Sequence, residues 1–157
     1  MDTSARLGMA LLLTTHALSL AVWIGVMLFN LVVNFPAQRA RARNGVELTA
    51  MMGSQARRAA PWLYALIGLT ALSGIGLQWQ LPHALGAQAA AVAGAKWMAL
   101  GLMAALHAWG SWRLWPQIYF ALDSERPALF MQYQFAMATS AALGIGATAL
   151  SFFARAV

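Results

Sequence analysis

Three ionisable side chains stand in stretches that otherwise avoid water. His16 lies in the run "HALSLAVWIGVMLFN", and Lys96 and His107 lie in "AKWMALGLMAALHAW". A titratable residue inside a hydrocarbon layer is costly, and as a rule it faces a protein interior and serves a function. A neutral imidazole offers a lone pair to a metal, and an ammonium offers a point charge to a carboxylate or an anionic substrate. Two simpler roles compete. Lys96 can snorkel to a membrane boundary, and His107 can be a core histidine hydrogen-bonded to a neighbouring helix.

Spacing places these groups on helix faces. His16, Trp23 and Asn30 recur every seven residues and share one face, with Ser19 and Met27 beside them. Lys96 and His107 are eleven residues apart, which at 100° per residue returns to within about 20° of the same face. His16 is nine residues inside its segment, on the order of 13 Å deep.

These residue types suit haem iron. Porphyrin is a flat apolar plate that needs small-residue walls, one or two nitrogen ligands, and cations for its propionates. Gly74 and Gly76 in "ALSGIGLQ", and Gly144 and Gly146 in "ALGIGATAL", allow close approach of backbones or of such a plate. A zinc site would need three or four clustered ligands. Only three histidines exist, and His83 falls in a connecting loop.

The elements that must position these groups follow from composition. The chain has 157 residues, 61% hydrophobic and only 9% charged, where a soluble domain carries about 25% charged residues. Four stretches, Leu7–Phe35, Trp62–Leu81, Ala95–Trp115 and Gln132–Phe153, exceed the roughly 18 apolar residues of a membrane span. None contains Asp or Glu, which excludes a carboxylate proton relay within the spans. The expected fold is all-α, an integral membrane four-helix bundle forming one domain over residues 1–157. The first run is too long for a signal peptide. The absence of cysteine excludes disulfides and thiolate metal sites.

The net charge of +6 is distributed against a nucleic-acid partner. Arg39, Arg41, Arg43, Arg57 and Arg58 fall in a basic loop, residues 36–61, and Arg113 and Arg126 flank the third loop. Arg6, Lys96 and Arg155 lie at the other side. The positive-inside rule then puts both termini on the outer side of the membrane. Trp62, Trp112 and Trp115 mark the inner boundary and Trp79 and Trp97 the outer one. Within the loop, "NGVE" (Asn44 to Glu47) predicts an N-cap and a short interfacial helix ending at the arginines, with Pro61 restarting the chain into the second span.

The motif "H…W-x-G-x-x-x-F" (His16, Trp23, Gly25, Phe29) resembles the opening of the HemJ-type protoporphyrinogen IX oxidases, small bacterial membrane proteins of four to five helices. "SQARRAAPWLYALIGLTALSGI" resembles their double-arginine approach to the second helix. "AKWMALGLMAALHAW" resembles their third helix, with its lysine and later histidine. The membrane part of CopD-type copper-resistance proteins shares the layout. The resemblance implies haem b as cofactor and His16 and Lys96 as the functional pair. The expected roles are His16 as iron ligand, Lys96 or His107 as second ligand or as the group that holds propionates or substrate, and Trp23, Arg57 and Arg58 as further cofactor contacts. The resemblance also implies electron transfer from a porphyrinogen-like intermediate towards quinone. One departure is plain: Ala37 follows Pro36 where that family has arginine. Two other readings stand beside this one, a CopD-like copper-handling or transport protein and a non-catalytic subunit of a larger membrane complex or homo-oligomer.

Overall fold

A computed structural model describes residues 3–80 and 86–156, with side chains to residue 153. His83 lies outside the described residues. Those described are all-helical: α1 (Thr3–Phe29), α2 (Phe35–Arg41), α3 (Gly45–Trp79), α4 (Ala87–Trp109), α5 (Trp115–Phe120) and α6 (Arg126–Ala156). Single π turns, Asn30–Asn34 and Gly110–Leu114, join α1 to α2 and α4 to α5 without a break. The result is four rods long and apolar enough to cross a membrane, Thr3–Arg41, Gly45–Trp79, Ala87–Phe120 and Arg126–Phe153.

Proline explains the π turns. Pro36 and Pro116 each sit just past one, at the start of α2 and α5. A proline inside a helix lacks its N–H and crowds the carbonyl four residues back. Widening the preceding turn by one residue relieves the crowding and lets the helix continue.

The basic loop expected over residues 36–61 is mostly helix. Only residues 42–44 break it. The expected cap forms: Asn44 Oδ1 accepts the Glu47 N–H at 2.9 Å. Glu47 Oε2 accepts from the Arg43 N–H at 2.9 Å, one residue before the cap. The helix begun there does not stop at the arginines, and Pro61 lies inside α3 rather than at a new start. One lost backbone bond is tolerated because the flanking alanines and leucines favour helix. The first rod, at 39 residues, is about 58 Å long, so it overruns a hydrocarbon core of about 30 Å.

α1 packs along α3 and along α6, and α4 packs along α6. The seam between α3 and α4 is instead bridged by aromatic side chains. Tyr64 lies edge-on to His107 with ring centroids 5.2 Å apart and stacks on Trp112 at 5.9 Å. Close approach of α6 to α1 depends on Gly144, where a Cβ would stand 2.7 Å from Ile24 Cδ1. Gly146 faces open space and has no such role.

Two apolar clusters form the core. Trp23, Met27, Met103 and Ala141 fill the middle of the bundle. Phe35, Leu48, Met52, Leu114, Ile118 and Phe130 fill the end that carries most of the arginines. Trp115 packs on this second cluster, facing Phe130, and so does not join the exposed boundary tryptophans Trp62, Trp79 and Trp112. The connections at 42–44 and 121–125 meet at this basic end, where a Cβ on Gly45 would stand 3.2 Å from Arg126 Cδ. Large apolar side chains such as Leu18, Leu72, Met98 and Phe135 cover the outside. In water such a surface would aggregate; against lipid it is the expected one.

Candidate functional site

His16 is carried by α1 and reaches across to α3. Its Nδ1 stands 3.0 Å from the Thr70 carbonyl oxygen and 3.2 Å from Ser73 Oγ. One turn along α1, the buried Ser19 places its Oγ 2.8 Å from Thr70 Oγ1 and 3.2 Å from the His16 carbonyl oxygen. Four side chains on two helices thus close a compact polar cluster. Thr70 and Ser73 repay local debts as well, donating to the Leu66 and Leu69 carbonyls of their own helix.

This geometry decides the histidine tautomer. A carbonyl oxygen only accepts, and the single Ser73 proton is directed at its own helix, so Nδ1 must carry the hydrogen. The lone pair is then on Nε2. An imidazole fixed through Nδ1–H to a backbone carbonyl is the usual preparation of a metal-ligating histidine. Gly74 makes room for the ring: a Cβ there would stand 3.2 Å from His16 Cε1 and 3.6 Å from Trp97 Cη2. α4 therefore reaches the histidine through Trp97, while Lys96 next to it is half-buried. His16 and Lys96 also hold the same register, each fourteen residues before the π turn of its rod (16 to 30, 96 to 110).

His107 belongs elsewhere. Its ring lies between Tyr64 and Trp23, edge-on to the latter with centroids 6.4 Å apart. Along α3, Tyr64 is six residues from Thr70, about 9 Å at the helical rise. With Trp23 fully buried between them, His16 and His107 do not come together on one metal, contrary to the expectation that both ligate it. Trp23 is a core wedge rather than a wall of the His16 site. Arg57 and Arg58 are exposed at the basic end. They are separated from Thr70 by about 20 Å of helix, so they do not approach His16. Among the described residues, no three of His, Cys, Asp and Glu gather to hold a metal.

The cluster leaves one ring nitrogen, His16 Nε2, outside its hydrogen bonds, and the cavity beside His107, about 50 Å³, is far too small for a macrocycle. Spacing places Ser19 beside His16, whereas Thr70 and Ser73 are not singled out in the sequence. Thr70 and Ser73 with Gly74 form a small-residue stripe on α3, and that stripe is the only local sign of them. Compared with known protein families, curated proteins and solved structures, the chain shows no match. It is a multi-pass membrane protein by the length and apolarity of its four rods.

Proposed function

We propose that this protein is a haem b-binding redox protein of the bacterial inner membrane, similar in kind to the HemJ-type oxidases, with both termini on the periplasmic side. The observation that carries the reading is the 3.0 Å contact of His16 Nδ1 with the Thr70 carbonyl, which leaves Nε2 as a preorganised donor to iron. Haem b would supply one-electron chemistry between a porphyrinogen-like donor and quinone. His16 holds and orients; Thr70 and Ser73 fix its ring; Gly74 leaves the space. Lys96, at the same register as His16, supplies a cation for a propionate or an anionic substrate. His107 and the arginine pair take no part in this site. The copper-handling reading is the weaker one, because the described histidines are held apart and no three of His, Cys, Asp and Glu gather among the described residues.

The test is the visible spectrum of the detergent-purified protein from a haem-replete host. A Soret band that is lost in His16→Ala and retained in His107→Ala is expected. A colourless wild-type protein, or a band indifferent to His16, would overturn the reading.

A further inference from the structure

The half of the bundle nearer the basic end carries polar groups that the His16 site does not use. His107 Nε2 is buried with no protein partner. It borders a cavity of about 50 Å³ that is also lined by Asn30, Ser111, Tyr133 and Ser140. A buried nitrogen without a hydrogen bond is costly unless something satisfies it. Apolar side chains such as Val26, Leu63 and Leu106 make up the rest of the lining, and the polar groups supply the two or more partners that a water needs in a cavity of this size.

A ladder of amides leads away from this cavity. Asn34 Nδ2 donates to Asn30 Oδ1 at 2.7 Å and to Gln55 Oε1 at 2.9 Å. Gln38, one turn beyond Asn34, keeps a buried Oε1 without a protein partner. With His16, Ser19 and Trp23, these residues continue one stripe along the first rod, and its last members stand beside Arg39 and Arg41. Both π turns begin against the cavity, at Asn30 and at Gly110. In the other direction the way is closed: Trp23 and Met103 are 0% and 1% exposed and pack with Met27 and Ala141.

We infer that the cavity is the closed end of a water-filled inlet that opens at the basic end and brings water to His107. The amides line the inlet and Trp23 stops it, so the imidazole meets solvent from one end of the bundle alone. Tyr64 beside the ring and Tyr133 across the cavity are its titratable neighbours. The inlet is read from the chain's own side chains and stands whether or not haem is bound.

Radiolytic hydroxyl labelling of the intact purified protein tests it, since oxidation marks side chains in contact with water. Met137 and Tyr133 line the cavity, whereas Met103 is sealed in the neighbouring cluster. Labelling of Met137 and Tyr133 well above Met103 is expected, with loss of that labelling in Asn34→Leu and in Gln38→Leu. The exposed Met131 serves as reference and should not change. Wild-type Met137 and Tyr133 labelled no more than Met103, or labelling that survives in whichever of the two variants remains folded, would overturn the inference.

Discussion

The imidazole of His16 is held by the backbone of Thr70, 3.0 Å from Nδ1 to the carbonyl oxygen across 54 residues of chain. Because the acceptor is main chain, no side-chain substitution at position 70 removes it. The orientation of the ring thus depends on how α1 and α3 are rotated against each other, and the hydroxyls around it maintain that rotation.

Thr70→Val separates these two roles. It leaves the carbonyl in place but breaks the 2.8 Å contact with Ser19. Interhelical hydrogen bonds in membranes contribute about 0.6 kcal/mol on average and up to ~1.7. A loss of about 1 kcal/mol in reversible unfolding by SDS is expected, with the fraction of protein carrying a Soret band unchanged.

Gly74→Ala acts on the ring itself. The new Cβ would stand 3.2 Å from His16 Cε1, tight enough that the imidazole must shift. Spectroscopic titration with haem should show weaker binding than wild type. Gly68→Ala, where nothing lies within 4 Å, should match wild type.

Gly144 and Gly146 look equivalent in the sequence and differ in the structure. At Gly144 a Cβ would collide with Ile24 at 2.7 Å, whereas Gly146 has nothing within 4 Å. Gly144→Leu should destabilise the bundle by about 1–3 kcal/mol, as overpacking does, and Gly146→Leu by no more than about 0.5 kcal/mol. Thermal denaturation in detergent reads both.

Orientation has its own measurement. Seven of the ten Lys and Arg residues lie at the basic end, so that end should face the cytoplasm. A C-terminal alkaline phosphatase fusion should be active and a C-terminal green fluorescent protein fusion dark. The reverse pattern would invert the topology.

Much of this protein is local and could be read along the chain. Apolar length fixed the number of rods, clustered arginines marked one end, and Asn44 with Glu47 announced the start of α3. Each of these is a property of a few neighbouring residues, and a bilayer permits few other backbone states. Pro61 misled in the same local terms, because it usually stops a helix in water but costs a membrane-crossing one a single bond.

The tertiary structure alone decided which polar groups meet. His16 could have faced any of three neighbours, and its choice of Thr70 and Ser73 follows from the rotation set by Gly144 under Ile24 and by Trp23 in the core. The same packing joins Asn34 to Gln55. Facing directions of this kind come from packing between residues far apart in sequence, and helical periodicity gives a stripe on each rod without saying what lies opposite it.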